Sequence, residues 1–569
     1  CVASMACRLT SLRSAVASAV SVRCAARAPL WRAGPRAAAV AVRTAVADAV
    51  PAAPAGGAAR SLSSGAATNP QLSLDTMSPL IRDTEYAVRG AIVIKAMEYG
   101  QILAEGGAAA AALPFDKLVF CNIGNPQSLG QKPITFVREV LALVNHPALL
   151  DHPDVERMFA PDAVARAREV SSSTPGGVGA YSETQGVLSL RKDVAKFIAE
   201  RDGFPASPKH IFLTDGASPA VQAIVRAQIR DRNDASLIPI PQYPLYSASI
   251  ALYGGSAAPY FLSEERGWAT ETADMERALA EARAAGKTVR SCVVINPGNP
   301  TGALLSRDNM AEVIDFCVRE NLVLCADEVY QENIWAEGAK WYSFKRVAAE
   351  MGVLGAANDG DGGKLQLASF HSVSKGFLGE CGHRGGYMEL VGFADDVRME
   401  LYKMLSVSLC SNLDGQVTMS TMVRPPKEGD ASYALYVAER DGILASLKRR
   451  ANMLSEAFGK MDGVDCQTPA GALYAFPRID LPEGAIAAAA AKGVAPDFLY
   501  CMELLDHTGV VCVPGSGFGQ VEGTFHFRTT ILPPEDEMEL FVSKFADFHA
   551  DFTRRYSGGD TTDSDSDSD

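Results

Sequence analysis

Between about residues 160 and 400, short apolar runs alternate with segments whose apolar residues recur every three or four positions. The runs at 211–214, 291–296, 322–326 and 365–370 predict β-strands. Leu190, Val194, Phe197 and Ile198 keep helical spacing, as do Met310, Val313, Ile314 and Cys317 behind a Ser306 placed to cap them. This alternation predicts an α/β fold whose large domain is a mostly parallel, doubly wound sheet with helices on both faces. Such sheets hold ligands at the carboxyl ends of their strands. Beyond about residue 405 the pattern changes. A helical stretch at 431–458 leads to short apolar runs at 464–476, 510–513 and 524–532, which predict a smaller α+β domain. The expected division is a leader (1–69), an arm and part of the small domain (70–130), the large domain (131–405), the small domain (406–556) and an acidic tail (557–569).

Composition narrows the function. A chain of 569 residues with 47% hydrophobic content can bury more than one core. A net charge of −14 argues against nucleic-acid binding. Twelve cysteines are scattered with no Cys-x-x-Cys pair and no Cys/His cluster, which implies a reduced compartment and no metal site. The first 69 residues hold eight arginines, no lysine and one acid, Asp48, amid alanine and serine. They read as an organelle transit peptide. Arginine interrupts their apolar runs, so no membrane span is expected there. The Ser/Asp alternation of 563–569 reads as a solvated acidic tail, with no peroxisomal Ser-Lys-Leu ending.

Candidate chemistry sits where the predicted strands end. Residues 369–376 read Ser-Phe-His-Ser-Val-Ser-Lys-Gly, with Arg384 nine residues beyond Lys375. A lysine amine in such a loop can condense with an aldehyde, while Ser372, backbone N–H groups and Arg384 can hold a phosphate dianion. Ser-x-x-Lys also occurs in serine hydrolases, so the run gains meaning from its companions. Strand 322–326 delivers Asp327, Glu328, Val329 and Tyr330. A carboxylate after a buried run needs a partner; a protonated pyridine nitrogen is one, a metal or a helix start are others. Strand 291–296 runs into Asn-Pro-Gly-Asn-Pro-Thr-Gly (296–302), a turn that presents Asn299 or simply ends the strand. Strand 211–214 opens into Asp215, Gly216, Ala217, Ser218 and Pro219 before an apolar helix: an anion site or a plain capped helix. Phe525, His526, Phe527 and Arg528 alternate, so His526 and Arg528 share a face, and an arginine on a half-buried strand needs a carboxylate or a structural ion pair.

Together these segments resemble the class-I, fold-type-I pyridoxal-phosphate (PLP) aminotransferases. Residues 122–127 (Asn-Ile-Gly-Asn-Pro-Gln), 130–136 and 371–387 look like signatures of the alanine aminotransferases among them. The resemblance spans roughly 75–550; His383 departs from it, where a tyrosine is common. It implies a PLP cofactor with Lys375 as Schiff-base lysine and proton-transfer base. Asp327 would face the pyridine nitrogen, and Asn299 and Tyr330 the phenolic oxygen. Tyr243 would stack on the ring, with Ala217, Ser218, Ser372 and Arg384 around the phosphate. Arg528 would grip the substrate α-carboxylate beside Gly124. Tyr181 would reach the phosphate across a homodimer interface. The implied reaction is ping-pong transamination, L-alanine plus 2-oxoglutarate giving pyruvate plus L-glutamate, in the mitochondrial matrix, with the chloroplast as alternative. Partners would be amino acids and 2-oxo acids, with no nucleic acid and no membrane. Glutamate:glyoxylate transamination is the nearest rival; a PLP lyase and a catalytically silent PLP-fold protein are further ones.

Overall fold

The computed structural model describes residues 72–82, 84, 86, 90–355 and 362–558; the leader 1–69 and the acidic end of the chain lie outside them. The chain divides into units 1–77 and 78–569, and the elements below all lie in the second. Strand β1 (Val119–Phe120) comes first. One sheet then takes β2 (Ile211–Thr214), β3 (Asp234–Ile240), β4 (Ser256–Ser263), β5 (Ala269–Thr270), β6 (Thr288–Ile295), β7 (Val323–Asp327), β8 (Leu367–Ser372) and β9 (Gly386–Val391). Its order is β2-β9-β8-β7-β6-β3-β4-β5. The run from β8 to β4 pairs in parallel, β9 lies antiparallel between β2 and β8, and β5 closes the far edge antiparallel to β4.

The strands are apolar on both faces because both are covered. Cys292, Val294, Leu324, Ala326 and Leu367 pack under helices Thr272–Ala284, Arg307–Glu320 and Phe344–Glu350. Their alternates Val293, Cys325, Ala368 and Phe370 pack with helices Ala217–Gln228 and Leu245–Leu252. Ser306 caps its helix, accepting the Asn309 N–H at 3.1 Å. Register aligns the strand ends: Thr214 and Ser372 both face Gly386, and Asp327 faces both Ile295 and Phe370. The four expected strands are present. β6 begins earlier than expected and β7 and β8 end later, so Asp327 and Ser372 are the last paired residues of their strands rather than loop residues.

A second core forms from β10 (Val464–Asp465), β11 (Tyr474–Ala475), β12 (Arg478–Ile479), β13 (Val510–Val511) and β15 (Phe527–Thr530), with β14 (Val513–Pro514) beside it, and from the helices Ala91–Glu105, Tyr433–Phe458, Glu483–Lys492, Pro496–Thr508 and Glu535–Tyr556. Phe458, Tyr500, Phe527, Phe541 and Phe545 meet inside it at ring separations from 5.1 to 6.3 Å, edge-on or tilted except for the stacked pair Tyr500–Phe527. β1 pairs in parallel with β13, and β15 lies between β11 and β14. The chain leaving β1 brings the Asn122 carbonyl to Arg528.

Candidate active site

A cavity of about 400 Å³ opens at the carboxyl ends of β2, β6, β7 and β8 and reaches Arg528 and Tyr474 of the second core. Asp327 forms its floor. The carboxylate is buried, accepting the Tyr246 hydroxyl at 3.0 Å and the Val329 N–H at 3.4 Å. Burial pushes its carboxyl up to about 6, against the pull of those hydrogen bonds and of Lys375. A cation at this carboxylate would reverse that penalty. Glu328 faces away from the cavity, where it accepts the Phe344 N–H at 2.8 Å.

The Lys375 amine donates to the Gly124 carbonyl at 2.8 Å and lies 5.7 Å from the centre of the Tyr330 ring. A side chain at Gly124 is excluded: a Cβ there would stand 2.2 Å from the Tyr474 hydroxyl and 2.9 Å from the Lys375 nitrogen.

On one side of the lysine is an anion cradle. Helix Ala217–Gln228 starts behind Gly216, whose φ of 86° suits glycine. A Cβ on Gly216 would come 2.3 Å from Nη2 of Arg384, so glycine lets the guanidinium lie across the helix start. Arg384 is held by the Asp215 carbonyl at 3.0 Å, the Cys381 carbonyl at 3.0 Å and the Ser374 hydroxyl at 3.3 Å. The N–H groups of a first helical turn have no intrahelical acceptors. With this guanidinium and the Ser218 and Ser372 hydroxyls they suit a phosphate dianion.

On the other side is Arg528, 1% exposed. Nη1 donates to Oδ1 of Asn299 at 3.1 Å, Nη2 donates to the Asn122 carbonyl, and Nε has no partner. Its plane lies between the rings of Tyr474 and Phe518, 4.2 and 4.7 Å from their centres. A buried guanidinium bonded only to neutral oxygens is poised for an anion. His526 turns elsewhere, to Glu264 at 3.1 Å and Gln520 at 3.0 Å.

Of the twelve residues singled out from sequence, Gly124, Ala217, Ser218, Tyr243, Asn299, Asp327, Tyr330, Ser372, Lys375, Arg384 and Arg528 line this one cavity. Tyr181 does not. It is 79% exposed on the lip of a separate cleft beside Ser182 and Leu413. The sequence reading missed Tyr474, Tyr246, Asn122 and Tyr86, the last bonded to the Tyr243 hydroxyl at 2.8 Å. Their partners are remote in sequence; only the Gly-Ala-Leu-Tyr turn that carries Tyr474 was visible as a turn.

The chain is 52% identical over 482 residues to "Alanine aminotransferase 2, mitochondrial" of Arabidopsis thaliana, covering 84% of this chain and 87% of that one. It is 51% identical to "Alanine aminotransferase 2" of Panicum miliaceum, covering 85% and 99%. It is 47% identical to "Glutamate--glyoxylate aminotransferase 1" of Arabidopsis thaliana, covering 85% and 97%. A solved alanine aminotransferase from Pyrococcus furiosus superimposes with a TM-score of 0.63 at 22% identity, covering 84% of this chain and all of that one, a likeness of fold. The family model "Aminotransferase class I and II" matches residues 153–545. By that match and these identities, the chain belongs to the class I and II aminotransferases.

Proposed function

We propose that the protein is a PLP-dependent alanine aminotransferase, moving the amino group of L-alanine to 2-oxoglutarate by a ping-pong reaction. One observation carries the reading: a phosphate cradle at Arg384 and a carboxylate-seeking guanidinium at Arg528 flank a single lysine amine above a buried carboxylate. The donor set suits PLP, since Asp327 lacks a cation and Gly216 leaves room for Arg384 to cover the helix start. When bound, PLP supplies an aldehyde that captures amino groups and a cationic ring that draws electrons from the substrate Cα.

The chain's own residues do the rest. Asp327 would keep the ring nitrogen protonated. Asn299 and Tyr330 would address the phenolic oxygen, Tyr243 would contact the ring, and Ala217, Ser218, Ser372 and Arg384 would hold the phosphate. Arg528 grips the α-carboxylate beside Gly124 and so fixes which bond at Cα stands ready to break. The Nζ of Lys375 takes the Cα proton and returns it on the opposite half-reaction. In the same reading, 131–405 and 406–556 are the large and small domains, two chains pair so that Tyr181 of each serves its partner, and the arginine-rich leader directs the protein to mitochondria, as the name of its Arabidopsis relative suggests. Glutamate:glyoxylate transamination is the second reading, supported by 47% identity against 52%.

The test is an absorption spectrum of PLP-loaded protein before L-alanine, after it, and after 2-oxoglutarate. Loss of the cofactor's yellow band with alanine and its return with 2-oxoglutarate is expected. Glycine with glyoxylate, run alongside, ranks the rival pair. No response to any amino acid in folded, PLP-loaded protein would overturn the reading.

A further inference from the structure

A second cavity, of about 480 Å³, lies outside the substrate site, between the helix Tyr433–Phe458 and the segments 126–133 and 532–535. Its volume falls in the range of small-molecule sites, about 300–1,000 Å³. Glu439, Gly442, Ser446 and Arg450 recur every three or four residues along the helix and so share the face that lines it. Arg450 is 9% exposed. Its Nη1 donates to the carbonyls of Leu532 and Pro533, its Nε donates to that of Ser446 at 3.3 Å, and its Nη2 has no acceptor among the described residues. We propose that this cavity is a second carboxylate site: it takes a small organic acid with an apolar body, whose carboxylate lies on Arg450, and its occupant acts on substrate binding.

A buried guanidinium answered only by neutral carbonyls gains strongly from an anion. Burial pulls Arg450 below the ordinary arginine range, with Glu535 opposing and Arg449 adding to that pull. The two carboxylates on the lining are already engaged. Glu535 pairs with Arg449 at 2.7 Å and accepts the Ser446 hydroxyl at 2.8 Å. Glu439 accepts the Thr135 N–H at 2.9 Å and the hydroxyl of the same residue. Lys132, exposed on the 126–133 wall, makes no ion pair among the described residues. The charge left unanswered in the cavity is therefore positive, and Leu129, Ile443 and Leu532 add apolar wall. Glycine weakens a helix interior, and no neighbour calls for one at 442: a Cβ there would meet no atom within 4 Å. What the missing side chain preserves is open space at the cavity. Both walls facing the helix continue into the substrate site. Residues 126–133 follow Gly124, whose carbonyl accepts the Lys375 amine at 2.8 Å, and Gln131 among them donates to the Phe377 carbonyl at 2.8 Å. Residues 532–535 follow β15, which carries Arg528. An occupant therefore bears on the two segments that form the carboxylate side of the substrate site.

The probe is hexanoate, with hexanol as its uncharged counterpart. Calorimetry is run on the PLP-loaded full chain carrying Arg528→Ala, whose substrate site has lost its grip on carboxylates. This protein is expected to keep one hexanoate site, and hexanol to bind there at least about tenfold more weakly. Adding Arg450→Gln should weaken hexanoate about 10- to 100-fold. Gly442→Phe, added instead, keeps every hydrogen bond of Arg450 and fills open space, and it should weaken hexanoate as much even if the Arg450 variant fails to fold. No hexanoate binding to Arg528→Ala, or a site indifferent to Gly442→Phe or to the charge of the probe, would overturn the proposal. The action on substrate is read with Arg528 intact, and this arm alone rests on the transaminase reading. Hexanoate competing only at Arg528 raises the apparent KM for L-alanine linearly; a second, coupled site makes that dependence curve, and Gly442→Phe restores the line. A straight line in wild type would overturn the action on substrate binding. If wild type turns over no amino acid, the transaminase reading falls while the calorimetry still decides the site.

Discussion

The cavity has two arginines, and they are built differently. Arg384 is exposed, lies on the connection between two strands, and is held by backbone carbonyls and one serine. Arg528 is buried on a strand between two aromatic rings, with one nitrogen unpartnered. The first suits a ligand that stays. Its charge is solvated while waiting, so an empty cradle costs little. The second suits a ligand that comes and goes. A desolvated guanidinium gains more from each carboxylate than an exposed one, and it discriminates more sharply against molecules that lack one.

The largest expected effect removes what both ends share. Lys375→Ala should lower kcat about 10³-fold or more, measured by single turnover with L-alanine. The comparison sharpens with Arg528→Ala, expected to cut kcat/KM for L-alanine about 10²- to 10³-fold while leaving PLP affinity within about threefold of wild type. Arg528→Lys should recover little, since the planar fork is lost. Equal damage to PLP binding would break the distinction between the two ends.

Asp327 gives a pH-dependent test of the floor. Its carboxyl titrates near 6 in the folded, cofactor-free chain, against roughly 3.9 when unfolded. Between those values the folded chain binds more protons, so this group's contribution to stability is complete below about pH 4 and lost as pH rises through about 6. Asp327→Asn should therefore stabilise cofactor-free protein by about 2–3 kcal/mol at pH 8 relative to its effect near pH 4, read by denaturant unfolding. In the same variant, PLP should no longer gain affinity across that window. Arg384→Ala should have the smallest effect, raising the PLP dissociation constant about tenfold with kcat nearly unchanged at saturating PLP. A large fall in kcat would mean that Arg384 also positions substrate.

The cofactor side was readable in the sequence because each of its groups stands at the end of an apolar run. β2 was bounded correctly at 211–214, and Asp327 and Ser372 missed their strands only through pairing that continues past the apolar residues. β3 and β4 escaped notice because Pro239 and Pro259 interrupt their pattern. β9 escaped because Gly385 precedes it and Gly386 opens it, and no local pattern announces an antiparallel strand inside a parallel sheet. The carboxylate side was legible only as Arg528 and Gly124. Asn122 meets Arg528 across 406 residues, and Tyr246 meets Asp327 across 81. Tyr474 acquires its charged neighbours only once β11 and β15 have paired. Tyr181 lies exposed and outside the cavity, where nothing in the local pattern of the chain would have placed it.

The inserted strand has one more consequence. Because β9 enters the sheet from the edge where the cavity lies, residues 373–385 form a hairpin connection carrying both Lys375 and Arg384, closed at its base by Ser372 opposite Gly386. Contacts this local form at small loop-closure cost, whereas the meeting of Arg528 with Asn122 must wait for distant parts of the chain to find each other. During refolding the machinery that retains a cofactor should therefore mature before the machinery that selects a substrate. A chain caught partway would capture PLP while still indifferent to alanine, and pulsed hydrogen exchange, with β8 and β9 protected ahead of β11 and β15, would record that order.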